Sequence, residues 1–277
     1  MREIVQLIWF SSILFLLLPS LWGLEGEWVR QGAVSTRLIL PADGIESESS
    51  FWLGWQIKRD SGWHTYWEHP GDVGVAPSLS WDLPDGFQCD PPLFSPPLRV
   101  YMFDIGAYGH KNETLFLLRI HAPQLSPGNL LTLRARANWL ACSDTCLPGQ
   151  TDLKLEVPVR ENPVPDINWK KRMDHFLRSS PKGLPSQWRG RVTKAGKFYK
   201  LEFSTPGIPP GGDVDFFIQN RMARSQSLPL VKRKKDGLDI LLEQSPWAMK
   251  DARRLKGLLQ FKQTTGIPVY YRVDLPL

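Results

Sequence analysis

The chain has 277 residues, of which 42% are hydrophobic and 22% charged, a globular balance that excludes wholesale disorder. Its 24 Pro and 22 Gly interrupt the sequence too often for a helical bundle or coiled coil, and a mean hydropathy of −0.26 excludes a polytopic membrane protein. Three Cys are too few for a disulfide-rich scaffold, and the net charge of +6 is very unevenly spread.

Residues 1–23 read as a secretory signal. Arg2 precedes an apolar run from Ile4 to Leu18, and Pro19, Ser20 and Gly23 follow it. The run is short for a membrane span of about 20 residues. Cleavage is expected near Gly23, with an uncleaved N-terminal anchor as the alternative. No Cys lies near the cleavage zone, so a lipoprotein is not expected. The mature protein is expected in an oxidising compartment where paired cysteines persist.

Residues 24–160 read as a β unit. STRLILPA, SFWLGWQIK, TLFLLRIHA, LLTLRARANWL and TDLKLEVPV alternate apolar and polar residues between Gly, Pro, Asp and Asn clusters. That rhythm predicts a β-sandwich. A Pro-rich seam at 157–165 closes the unit, with the boundary placed near residue 162. Charge changes sign there: residues 1–160 carry 12 Lys and Arg against 17 Asp and Glu, and residues 161–277 carry 22 against 11.

The second unit, 163–277, is expected to open with a helix capped by Asp166, with Ile167, Trp169, Met173, Phe176 and Leu177 on one face. Strand-like runs follow: RGRVTKAGKFYKLEFS, DVDFFIQN, LDILLEQ, LKGLLQFK and PVYYRVDLPL. The expected fold class is therefore all-β, two tandem sandwiches after a signal peptide. Lys232 to Lys235 form a basic run beside Asp236-Gly237, which reads as a solvated hairpin turn. An acidic partner or a membrane surface is the alternative. No nucleic-acid-binding motif occurs, and no nucleic-acid partner is expected.

The chemistry centres on Cys142-Ser-Asp-Thr-Cys146. Three intervening residues can form a tight turn that brings the two sulfurs within bonding reach. A bond across so small a loop stabilises less than one across a long loop. Exchange chemistry needs an accessible sulfur and a resolving partner, and the motif supplies two sulfurs. Three readings stay open on spacing alone: a redox pair, an inert turn staple, or a metal site. Cys89 reads as a buried free thiol. His64 and His69 flank a Trp-rich stretch and read as turn and core residues; the alternative is a soft-metal site with the cysteines. His110 and His121 stand alone, and no hydrolase, zinc-protease or P-loop pattern occurs. Asn112-Glu-Thr114 fits a glycosylation sequon, relevant only to a eukaryotic secretory route.

Three blocks carry a family resemblance. GWHTYWEHPGDVGVAPSLSW (62–81), AYGHKNETLFLL (107–118) and ARANWLACSDTCLPGQTDLKLEVP (135–158) resemble, in order, the N-terminal periplasmic domain of the DsbD/ScsB group of thiol:disulfide interchange proteins. The tail LKGLLQFKQTTGIPVYYRVDLPL is similar, more loosely, to the end of the second sandwich of ScsB-like members. The resemblance implies immunoglobulin-like sandwiches, a periplasmic location and a redox-active pair, which maps onto Cys142 and Cys146 alone. It implies no cofactor. The implied activity is that of a protein-disulfide reductase component. The implied partners are a membrane electron-transfer protein and periplasmic acceptors: disulfide isomerases, copper-linked thioredoxin-like proteins or cytochrome c maturation factors. Tyr101, Phe103 and Tyr108 fall in the region where the family carries an aromatic cap. Full-length reductases continue into a membrane domain and a thioredoxin domain, whereas this sequence stops at Leu277. Its electrons are therefore expected from a separate membrane protein. Asp144 between the cysteines opposes thiolate formation. The competing readings are a non-catalytic interaction module and a copper-handling protein using Cys142, Cys146 and His64 or His69.

Overall fold

A computed structural model describes residues 23–204, 212–248, 251–263 and 266–277. The expected signal, up to residue 22, lies outside these. The first strands in chain order are β1 (Leu24–Glu25), β2 (Val29–Gln31), β3 (Val34–Leu40), β4 (Ser50–Arg59), β5 (His64–Gly71) and β6 (Ser78–Asp82). Then come β7 (Gln88–Cys89), β8 (Leu98–Met102), β9 (Ile105–Lys111), β10 (Glu113–His121), β11 (Leu130–Cys142) and β12 (Cys146–Pro158). One helix, α1 (Ile167–Ser179), precedes β13 (Lys182–Gly183), β14 (Arg189–Ala195), β15 (Phe198–Ser204) and β16 (Val214–Ile218). The last strands are β17 (Leu230–Lys234), β18 (Gly237–Glu243), β19 (Arg254–Phe261) and β20 (Val269–Pro276). With 57% strand and 5% helix, the fold is all-β and immunoglobulin-like, as the alternating runs imply.

Two sheets make the first sandwich. One is ordered β1-β3-β4-β10-β7 with β2 beside β3; the other is β12-β11-β5-β9-β8 with β6 beside β11. Alternation puts Val34, Leu38 and Leu40 of β3 and Phe116, Leu118 and Ile120 of β10 inward. They meet Leu133, Ala137, Trp139, Leu153 and Leu155 of the facing sheet. The intervening residues Ile39 and Leu117 point outward yet are buried too. A second layer covers them: Trp169, Met173 and Phe176 of α1 pack on that outer face. This explains the near-continuous apolar run in β10, the pattern of a strand covered on both sides.

The helix expected to open the second unit therefore packs on the first. Asp166 is its N-cap, accepting from Asn168 N at 2.8 Å and Trp169 N at 2.9 Å. The same carboxylate accepts from Gly23 N at 2.8 Å, and Trp169 Nε1 donates to Glu25 at 2.6 Å, so α1 is tied to β1. Ile167 is exposed rather than part of the apolar face, because it lies two residues, about 200° of turn, from Trp169.

The second pair of sheets, β13-β20-β19-β16 and β14-β15-β18-β17, encloses a core of Leu201, Phe203, Phe216, Ile240, Leu258 and Phe261 among others. The basic run does sit at a hairpin, but its two-residue loop is Lys235–Asp236, and Gly237 begins β18. Lys234 and Lys200 both pair with Asp239, so part of the surplus charge is neutralised locally.

The two cores are continuous. Trp67 and Tyr108 of the first sandwich belong to the same buried cluster as the second core. Tyr108 stacks edge-on against Phe217 at 5.2 Å. Around this contact Arg99 of β8 grips Asp215 of β16 through two bonds, Nε at 2.9 Å and Nη2 at 2.6 Å, and donates to the Ser225 carbonyl at 2.6 Å. Asp72 accepts from Ser225 N at 2.9 Å and Ser245 Oγ at 3.1 Å. Gly106 lets the chains touch, since a Cβ there would lie 2.5 Å from Gln226 Cα. Both members of the Arg99–Asp215 pair are nearly sequestered, at 11% and 10% side-chain exposure. Arg99→Ala should therefore cost about 3 kcal/mol in urea unfolding by stranding Asp215, whereas Arg99→Met with Asp215→Leu should recover most of that loss.

Candidate functional site

The hairpin of β11 and β12 runs in continuous antiparallel register from Leu130↔Pro158 to Cys142↔Cys146. Its last pair is the disulfide, S–S 2.04 Å and Cα–Cα 4.1 Å. Ser143, Asp144 and Thr145 form the loop, closed by Ser143 N donating to Thr145 O at 3.0 Å. Directly opposed residues at a hairpin end suit this bond, so the two cysteines pair without interrupting the ladder.

The two sulfurs differ. Cys142 is fully buried, while Cys146 is half-buried beside the exposed Leu147. Tyr66 of β5, itself buried, donates its hydroxyl to Cys142 Sγ at 3.1 Å. Its phenol is held above the ordinary tyrosine pKa by burial. Gly74 makes room for that ring: it lies at φ +102° and a Cβ there would fall 2.1 Å from Tyr66. Met102, at the end of β8, lies against Cys146 with Sδ 2.9 Å from Sγ. Val100, Ala107, Val73 and Leu140 complete an apolar nest around the pair.

The β8–β9 hairpin is thus the cap over the sulfurs. Of the three aromatic residues expected there, Tyr101 and Phe103 are exposed, at 50% and 73%. Tyr108 is buried against the second sandwich instead. Phe103 sits in the two-residue turn at φ +51°, a left-handed position usually given to glycine or asparagine. Ile105 and Leu147 extend the exposed apolar rim. Met102 and Tyr66, the residues that touch the sulfurs, carry no sequence signal that distinguishes them from ordinary core side chains.

His64 is the register partner of Cys142 on β5 and is buried. Burial, then Lys111 and Arg59, push its pKa down to about 4. His110 is also buried, with Nε2 3.0 Å from the Ser95 carbonyl, and burial followed by Arg59 lowers it to about 3. Arg59 itself donates to Thr65 Oγ1 at 2.8 Å and Thr114 Oγ1 at 2.9 Å, and burial pushes it down to about 9. His69 stacks on Trp67 at 5.5 Å and is lowered by burial and then by Lys256 of the second sandwich. His64 and His110 are therefore core residues and His69 is half-buried, and among the described residues no three of His, Cys, Asp or Glu stand close enough to hold a metal. Cys89 belongs to the other sheet; its thiol donates to the Asp90 carbonyl at 3.2 Å, and burial, then Asp90, raise it to about 11. His121 bonds Ser50 and faces Asp90 at the surface.

The site is thus a disulfide at the end of a long hairpin, covered by the β8–β9 hairpin, in the first of two β-sandwiches. Residues 37–158, most of the first sandwich, match the family described as thiol:disulfide interchange protein DsbD, N-terminal. In fold, the chain is similar to the N-terminal periplasmic domain of ScsB from Proteus mirabilis, with a TM-score of 0.65, 14% identity, and 92% of this chain and 99% of that one covered. No curated protein matches the sequence. Among the described residues no helix is long and apolar enough to cross a membrane.

The buried histidines make a pH prediction. A histidine held neutral in the fold binds a proton only after unfolding, so its contribution is complete above the unfolded pKa near 6.5 and declines as pH falls toward the folded value. For His110 the loss should reach roughly 2 kcal/mol at pH 5. Urea unfolding between pH 7.5 and 5 checks it, and His110→Gln should flatten that slope.

Proposed function

We propose that Cys142 and Cys146 form a redox site that passes electrons from a separate membrane reductase to periplasmic thioredoxin-like or disulfide isomerase proteins. The observation that carries this reading is the asymmetry of the pair: one sulfur buried under a phenol, the other half-exposed beneath an apolar rim. A partner thiol can reach Cys146 only, which fits a division between an exchanging and a resolving sulfur. In the reduced protein the Cys146 thiolate attacks the partner disulfide, forms a mixed disulfide and expels one partner thiolate. The Cys142 thiolate then attacks Cys146 Sγ and releases the second partner thiolate. Two electrons leave, and the 142–146 bond forms. Among the described residues Tyr66 Oη is the side-chain donor in contact with Cys142 Sγ, and it stabilises that thiolate while it forms. The reverse sequence with a dithiol reductase recharges the pair.

The second reading is a structural staple within an interaction module. Against it, the hairpin is already fixed by a continuous ladder. A loop this small adds about 2 kcal/mol of entropic restraint, compared with about 4.7 for a 100-residue loop.

Two measurements test the proposal. Equilibration in glutathione buffers should give a reduction potential between roughly −120 and −270 mV, whereas a staple should lie below about −300 mV. Cys142→Ser should leave Cys146 open to iodoacetamide and able to trap thioredoxin-like partners as mixed disulfides. Cys146→Ser should leave a thiol that alkylates several-fold more slowly in the folded protein.

A further inference from the structure

Met102 is the residue that the exchange chemistry does not use. A thioether neither attacks a disulfide nor takes a proton, yet its sulfur lies 2.9 Å from Cys146 Sγ. Strand alternation aims it there: Val100 and Met102 share the face of β8 that packs into the sulfur nest, and Arg99 anchors the opposite face to Asp215. When the 142–146 bond is reduced, three sulfurs converge in one apolar nest.

We propose that the reduced protein binds one Cu(I) through Cys142, Cys146 and Met102. This rests on the reading above that the pair is reducible in the folded protein. Donor chemistry selects the metal. Two thiolates and a thioether are soft ligands, which favour Cu(I). Structural Zn(II) takes four Cys, His or carboxylate ligands, and among the described residues the cysteines have no third such neighbour. Hard cations need six or more oxygen ligands, and the side chains of this nest, Val73, Val100, Ala107, Leu140 and Tyr66, bring a single oxygen, Tyr66 Oη.

The balance is simple. A dithiol donor gives two electrons and two protons to the 142–146 bond and leaves as a disulfide. Cu(I) then replaces the two thiol protons, which pass to solvent, and no further electron moves. The oxidised protein has no free thiolate at this place. Metal binding and disulfide formation are thus mutually exclusive, and bound Cu(I) should block exchange with thioredoxin-like partners.

The test uses the mature chain, reduced with a phosphine, desalted without oxygen and titrated with Cu(I) against a chromogenic Cu(I) chelator. Thiols are counted by alkylation and mass beforehand. The expected result is one Cu(I) per reduced chain, none per oxidised chain, none for Cys142→Ser/Cys146→Ser, and affinity lowered about tenfold or more in Met102→Leu. Leucine preserves the volume, so the fold is retained, and circular dichroism of each variant checks this. Two free thiols with no Cu(I) beyond the double-serine background would overturn the metal site and leave the redox reading standing. Met102→Leu within about twofold of the parent would also overturn it, by removing the thioether from the set. A pair that yields no thiols until the protein unfolds would sink both readings. Uptake of Zn(II) with equal stoichiometry and the same Met102 dependence would refute the assignment to Cu(I).

Discussion

A β-strand turns successive side chains to opposite faces, and β8 depends on that alternation twice within five residues. Arg99 points to the second sandwich and closes a two-bond contact with Asp215. Val100 and Met102 point the other way, into the nest around Cys142 and Cys146. The strand cannot slip by one residue without exchanging the two sets, which would bury a guanidinium among sulfurs and expose two apolar chains. Register in this short strand therefore fixes at once how the sandwiches join and what covers the disulfide. The second sandwich is thus part of the scaffold that holds the cap over the sulfurs, through a pair whose two members are 116 positions apart in sequence.

Within the first sandwich the long hairpin plays the complementary part. Its ladder brings Cys142 and Cys146 opposite each other at the end of a rigid ribbon, and β5 lays Tyr66 and His64 alongside. The nearby polar groups are only partly satisfied: Arg59 Nη2, His64 Nε2 and His110 Nδ1 are buried without a hydrogen-bond partner among the described residues. His64 and His110 remain neutral at physiological pH, and Arg59 is held by hydroxyls and carbonyls. The tyrosine hydroxyl is the polar group in contact with Cys142 Sγ. Asp144, in the loop between the cysteines, is exposed to solvent, where its charge is screened.

What the sequence made legible was periodicity. The runs at β3, β4, β10, β11 and β12 alternate visibly because one face is core, and Asp166 announced the helix through a capping preference that is local. β5 was hidden: His64, Thr65, Tyr66, Trp67 and Glu68 mix polar and aromatic residues, and four of those five are buried because the strand lies in mid-sheet with a polar cluster on one side. The cysteine pair was legible as a spacing and as a family block. Its asymmetry was not, since burial of Cys142 depends on Tyr66, Val100 and Ala107 arriving from other strands. Tyr108 was expected in the cap and is instead the ring that joins the two cores, a role set by contacts with Phe217 and Ile218 that no local pattern encodes.

Helix α1 bears on where the chain can be divided. By composition the natural cut is the Pro-rich seam near residue 162, where the charge changes sign. By packing, a fragment ending there would lose Trp169, Met173 and Phe176 and bare the outer face at Ile39 and Leu117. Such a face is a sticky, aggregation-prone surface on an otherwise finished sandwich. A shortened protein ending just after Ser179 keeps that roof, yet it bares Trp67 and Tyr108 and leaves Arg99 without Asp215, which the second sandwich supplies. The helix thus behaves as a lid inherited by the earlier half, and any gene that borrows this sandwich must carry the helix with it.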